Sequence, residues 1–170
     1  MSALRLGIGL ALALLVSGCA GYRLGPTNGT RAGETSIDVP AFVNRTLEPR
    51  LVDPTTAALR RELQRDGTFR LVSTPDGDVT VAVELTRYQR VEQSFVPTDV
   101  TTARDYRLVL TARVVASERR SGKVLFDREV NGATLMRVGN DLPSAERQTL
   151  PVLATELARQ ITSLLVDGSW

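Results

Sequence analysis

The chain has 170 residues, with 21 basic and 19 acidic side chains, a formal charge of +2 and no histidine, a length that suits a single domain. Without histidine the commonest general base and the commonest metal ligand are both missing, and the one cysteine, Cys19, leaves no internal disulfide, no CxxC redox pair and no multi-cysteine zinc site. Serine–histidine and cysteine–histidine catalysis are thereby excluded, chemistry by a carboxylate pair, lysine or tyrosine stays open, and the small net charge gives no argument for a nucleic-acid partner.

Leu6 to Val16 form an apolar run, LGIGLALALLV, after a single charge at Arg5. It is too short for a bilayer span, which takes about 20 residues, and has the length of a signal-peptide h-region. The run ends Val16-Ser17-Gly18-Cys19, which resembles the lipobox of bacterial lipoproteins. Residues 1–18 are therefore expected to be removed and the Cys19 thiol to carry lipid, each buried methylene contributing about 0.8 kcal/mol of membrane affinity. Ala20 in second place, where aspartate commonly retains lipoproteins in the inner membrane, points to the outer membrane. Asn28-Gly29-Thr30 and Asn44-Arg45-Thr46 match the N-glycosylation pattern and are read as turns.

Residues 19–35, rich in glycine, threonine and arginine, read as a tether, and 36–168 as one domain. Ser36-Ile37-Asp38-Val39-Pro40 alternates apolar and polar residues like a half-buried strand, which Pro40 ends. Asp53 reads as a helix N-cap with Pro54 in first position. Leu59 and Leu63 form the stripe, Thr55 and Asp66 mark its ends, and Gly67 supplies the left-handed stop. Arg60, Arg61 and Arg65 are placed on a solvated face.

Phe69 to Val72 reads as a short strand and Pro75-Asp76-Gly77 as a turn. Val79, Val81, Val83 and Leu85 then alternate with polar or small residues. The alternation resumes from Arg104 to Ser117, with Tyr106, Leu108, Leu110, Ala112, Val114 and Ala116 inward. Arg119-Arg120-Ser121-Gly122 reads as a hairpin turn into a strand over Lys123–Leu135. Leu150, Leu153, Leu157, Ile161, Leu164 and Leu165 have helical spacing. Because proline clashes with the preceding turn, the main helix is expected to start near Thr149, with Pro151 in its first turn. The order strand, helix, four strands, helix predicts an α+β fold, with two helices packed on one face of a four- to five-stranded mixed sheet.

Four pieces of this chain resemble the LptE family of outer-membrane lipopolysaccharide-assembly lipoproteins. They are the start Cys19-Ala20-Gly21-Tyr22-Arg23-Leu24-Gly25; the passage Val39-Pro40-Ala41-Phe42-Val43-Asn44-Arg45-Thr46 with Glu48-Pro49; the helix-to-strand stretch from Leu59 to Val72; and Gly168-Ser169-Trp170 after the last helix. The resemblance implies a non-enzymatic protein without cofactor or metal. It would sit one-to-one in the lumen of an LptD-type β-barrel, help that barrel assemble and bind lipopolysaccharide, while its lipid holds it to the periplasmic side of the outer membrane. The strand ending also resembles activators of penicillin-binding proteins and the curli secretion lipoprotein. The short tether, and no candidate membrane-spanning hairpin, favour the LptE reading.

Phosphates of such a ligand would be met by arginine or lysine at a turn or sheet edge. Twenty of the 21 basic residues are arginine. The candidate contacts are Arg119, Arg120 and Lys123 in the hairpin turn, with Arg128 just beyond, and Arg87 and Arg90 late in the long strand. A solvated turn, or edge charges that block strand-to-strand aggregation, is the alternative reading. Phe42 reads as a core seal beneath the first helix, Asn44 as a loop cap and Trp170 as a terminal anchor. Asp76/Asp78 and Asp127/Glu129 read as turn and strand-face carboxylates.

Overall fold

Alternating apolar residues build the centre of the sheet. The computed structural model describes residues 32–96, 99–138 and 141–168. Strand β4 (Val79–Val96) carries Val79, Val81, Val83 and Leu85 inward, and β5 (Asp99–Glu118) opposes them with Leu108, Leu110, Ala112, Val114 and Ala116, all buried. The two pair antiparallel, and β6 (Val124–Arg137) adds antiparallel to β5. On the other side of β4, β1 (Ser36–Asp38) pairs parallel with both β4 and β3 (Arg70–Val72). The order is β3-β1-β4-β5-β6, and a sixth strand, β2 (Val43–Asn44), pairs with β4 beyond β1. The sequence placed β2 in a loop, because two residues show no alternation.

Helix α1 (Val52–Asp66) and helix α2 (Leu142–Asp167) pack on each other over one face of this mixed sheet, α2 mainly above β6. Leu51, Leu59, Leu63, Leu153, Leu157, Ile161 and Leu165 join the strand residues in one core. Phe42 belongs to it, 5% exposed, and its N–H donates to Thr56 Oγ1 of α1 at 3.2 Å, so it seals the core under that helix as expected. Gly67 ends α1 at φ +76°, its N–H donating to the Leu63 carbonyl at 3.1 Å.

Three local expectations are corrected. Asp53 is not the N-cap: a 3-10 turn over Pro49–Leu51 runs straight into α1, capped by Glu48, which accepts from the Arg50 N–H. Asp53 lies in the first turn of α1, where its charge suits the positive helix end. Helix α2 starts at Leu142, not near Thr149, because Asp141 caps it by accepting from the Ser144 N–H at 2.9 Å. Pro151 sits inside this continuous helix on its exposed side, while Leu150, Leu153 and Ala154 stay buried on the other. Packing of that face offsets the lost hydrogen bond. Finally, β1 is not half-buried, since all three of its residues are buried between two neighbouring strands. Ser36 Oγ donates to Asp78 at 2.6 Å, and Asp38 accepts from Thr80 Oγ1 at 2.8 Å.

The leader Leu6–Val16, Cys19, Asn28-Gly29-Thr30 and Trp170 lie outside the described residues. Among those described, no helix is long and apolar enough to cross a membrane.

Candidate functional site

The two groups of predicted contacts lie apart along the sheet, one at the β5–β6 turn beside the start of β4 and the other midway along β4. The β5–β6 turn is set by Gly122 at φ +69°, whose N–H donates to the Glu118 carbonyl, while the Ser121 hydroxyl donates to the Glu118 carboxylate. Its arginines stand beside carboxylates. Arg119 pairs with Asp76 at 2.8 Å, and its backbone N–H donates to the Asp78 carbonyl. An open cleft of 740 Å³ lies there, lined in part by Glu34, Asp76, Asp78, Glu118, Arg119 and Arg120. Four carboxylates against two guanidiniums do not make a cationic cradle. Lys123 is exposed at the rim of the turn.

Arg87 and Arg90 are separated by the fold itself. A β-bulge between Leu85 and Arg87 adds one residue and shifts the alternation. Beyond it Tyr88 and Arg90 align with Leu110 and Leu108 on the helix side, and Arg87 aligns with Thr111 on the uncovered face. Arg90 approaches Glu146 of α2 at 3.6 Å.

That contact belongs to a polar cluster which the sequence reading did not anticipate. The Glu146 side chain, 8% exposed, accepts from the Tyr88 hydroxyl at 2.5 Å and has Arg50 at 3.8 Å. Arg50 in turn donates twice to Glu48, at 2.7 Å each. The hydrogen bond from Arg50 holds the Glu48 carboxyl below the usual range. Burial, then the hydrogen bond to Glu146, pushes the Tyr88 hydroxyl far above its ordinary value, so it stays a donor. The cluster ties the turn before α1, the bulged strand and the start of α2 together. One signal could have found it: Glu146 lies in phase with Leu150, Leu153 and Leu157, an acid on an otherwise apolar helix stripe.

Elsewhere the carboxylates are structural. Asn44 caps its loop by accepting from Thr46 N–H and Oγ1 and donating to the Glu48 carbonyl. Asp127 pairs with Arg113 at 2.6 Å on the uncovered face, and Glu129 is exposed beside it. Among the described residues no three potential metal ligands cluster.

Asp76, Asp78, Asp127 and Asp141 are all held below the ordinary carboxylate range, by Arg119, the Ser36 donors, Arg113 and Ser144 respectively. A carboxyl lowered on folding stabilises the fold above its unfolded pKa of about 3.9, and that contribution is lost as pH falls through the folded value. Thermal melts are therefore expected to give a flat midpoint from neutral pH to about 5 and a fall below about 4. A midpoint unchanged at pH 3 would show that these contacts contribute nothing.

The sequence model of LptE, described as lipopolysaccharide-assembly, matches residues 35–165. Several solved structures share the fold. A protein from Xanthomonas campestris aligns at a TM-score of 0.58 and 11% identity, over 86% of this chain and 92% of that one. PelC from Paraburkholderia phytofirmans, solved as a dodecamer, aligns at 0.56 and 13% identity, over 81% and 91%. A minor lipoprotein from Acinetobacter baumannii aligns at 0.51 and 16% identity, over 78% and 92%. At such identities the likeness is one of fold alone. No curated protein matches the sequence.

Proposed function

The chain belongs to the LptE family, and on that premise we propose that it is a lipid-anchored outer-membrane protein that sits one-to-one in the lumen of an LptD-type β-barrel. There it helps the barrel assemble and assists lipopolysaccharide on its way to the cell surface. The observation that carries this reading is the family match, which runs from the strand before α1 to the last turns of α2. Anchoring rests on Cys19, placed after an apolar run and two small residues. Two or more acyl chains on one cysteine hold a protein stably where a single chain does not. No step of this reading needs a catalytic group. Of its candidate lipopolysaccharide contacts, Arg87, Arg90, Arg119, Arg120 and Lys123, the geometry favours Arg87. Arg90 and Arg119 already face carboxylates.

The test is affinity purification of the tagged, lipidated chain from its own outer membrane in mild detergent. A large β-barrel protein is expected in stoichiometric amount. A penicillin-binding protein in its place, with no barrel, would overturn the proposal in favour of a regulatory lipoprotein. In the same strain the wild-type chain is expected to take up labelled palmitate, and Cys19→Ala to lose that label and keep its leader. Equal labelling of the two would remove Cys19 as the lipid site.

A further inference from the structure

Two of the large apolar residues left open on the surface stand together. Val124 at the start of β6 is 55% exposed and Leu164 near the end of α2 is 39% exposed, and both line one groove. The groove has a volume of 420 Å³ and lies at the free edge of the sheet, where β6 is the last strand. Half-buried Leu125 and Phe126, which pack against the core, line it too, together with the exposed Arg128. Phe126 and Arg128 align with the buried Ala116 and Val114, so both lie on the helix side of the sheet. Two residues apart on one strand, they stand about 6.6 Å from each other, which leaves room for one flat ring between them.

The chain supplies such a ring at this place. Gly168, the residue after α2, lines the same groove. Its N–H donates to the Leu164 carbonyl at 3.1 Å, and its backbone turns extended at φ −69° and ψ 123°, so the helix stops there. Trp170 follows two residues later, outside the described residues, and is the one tryptophan of the sequence. Two extended residues span at most about 7 Å, so the groove is within reach of its side chain. An indole has a large apolar body and a face that attracts a guanidinium. Arg128 is open to that contact. It donates to the Asp127 carbonyl at 3.1 Å and takes no carboxylate among the described residues, while the Asp127 carboxylate is held by Arg113. The last turn of α2 has no basic side chain of its own, so a cation beside its carbonyl end is favourable.

We infer that this groove seats the chain's own Trp170, its indole between Phe126 and Arg128 and against Leu164. The tail is then a latch that fastens the last turn of α2 to the edge strand and covers Val124 and Leu164. An apolar patch filled in this way is closed to a second copy of the chain and to lipid. The inference goes beyond the proposed function and does not rest on it.

The experiment is fluorescence of the full chain, in which all tryptophan emission comes from this one position. The folded chain is expected to emit to the blue of the urea-unfolded chain and to be quenched several-fold less by acrylamide. Val124→Ser with Leu164→Ser, changes on exposed residues that a fold tolerates, is expected to reverse most of both effects with circular dichroism unchanged. Val152→Ser, also exposed on α2 but about 18 Å from Leu164 along the helix, is expected to emit as the wild type does. Emission of the folded wild type at the unfolded position, or a blue emission that the groove variant does not move, would overturn the latch. So would quenching by brominated phospholipid chains, which places the indole in a membrane, or a blue shift that fades on dilution, which places it on a second copy. Amide exchange gives a second readout. Trp170→Ser is expected to quicken exchange from Ile161 to Asp167 and not from Leu142 to Leu150, and exchange equal to wild type throughout would overturn the fastening of α2.

Discussion

Gly132→Ala is expected to destabilise the fold by about 3 kcal/mol, the upper end of what overpacking usually costs. Gly132 lies in β6 where α2 crosses it, and glycine inside a strand marks a close approach of another backbone. A β-carbon built there would stand 2.7 Å from the Leu157 nitrogen and 2.8 Å from its Cα and Cβ. Two of these are main-chain atoms and the third, Cβ, is fixed by them in mid-helix, so no rotamer change relieves the clash. Either α2 lifts off β6 or the strand bows away. In both cases Leu153, Leu157 and Ile161, each at most 1% exposed, lose contact with the sheet. Chemical denaturation of the variant against wild type measures the effect. Thr134→Ala, two residues on along the same face of β6, should stay within about 1 kcal/mol. A cost below about 1 kcal/mol for Gly132→Ala would show that the helix can shift without loss of packing.

Much of this architecture is legible wherever local pattern and tertiary context agree. Val79 to Leu85 and Leu108 to Ala116 alternate in the sequence and are buried in that alternation. Gly67 and Gly122 stop a helix and shape a turn at the positive φ that only glycine adopts freely. Reading by alternation fails beyond Leu85, because the bulge at Thr86 inserts one residue without any distinctive residue type. Strict period two would have sent Arg87 toward the helices and Tyr88 and Arg90 away from them. The bulge reverses all three.

The other departures have long-range causes. Pro151 obeys the local rule against helix interiors only until the packing of Leu150, Leu153 and Ala154 is counted. Ser36 and Asp38 read as solvent-facing because their partners, Asp78 and Thr80, lie 42 residues away. The same holds for the candidate contacts. Arg119 reads as a free cation in a turn until Asp76, 43 residues earlier, is found beside it. Residue type and spacing thus identified basic groups, but their charge balance depends on a strand register that one sequence does not display.

Removing Glu146 is expected to cost about 2 kcal/mol, in the range for a hydrogen bond to a charged acceptor. Its two arginine neighbours add little to that figure. They lie at 3.6 and 3.8 Å with side chains 45% and 44% exposed, and ion pairs so open to water contribute about 0–1 kcal/mol. The weight falls on the bond from Tyr88, whose hydroxyl is partly buried and donates to the Glu146 carboxylate. In Glu146→Ala that donor loses its acceptor, and Arg50 and Arg90 lose the carboxylate they share. Glu146→Gln keeps an acceptor oxygen and should lose about half as much. Tyr88→Phe and the double variant complete a cycle whose coupling is expected at about 1–2 kcal/mol. Additive effects would reduce the contact to coincidence. The position of the cluster adds a local consequence. Residues before Pro151 lack one helical hydrogen bond that the rest of α2 retains, so they depend on the Asp141 cap and on Glu146. Amide exchange in Glu146→Ala should therefore quicken from Leu142 to Leu150 well before it does from Leu153 to Leu165. Uniform exchange along α2 would mean that the helix opens as one unit and that Glu146 stabilises the whole fold rather than its hinge onto β4.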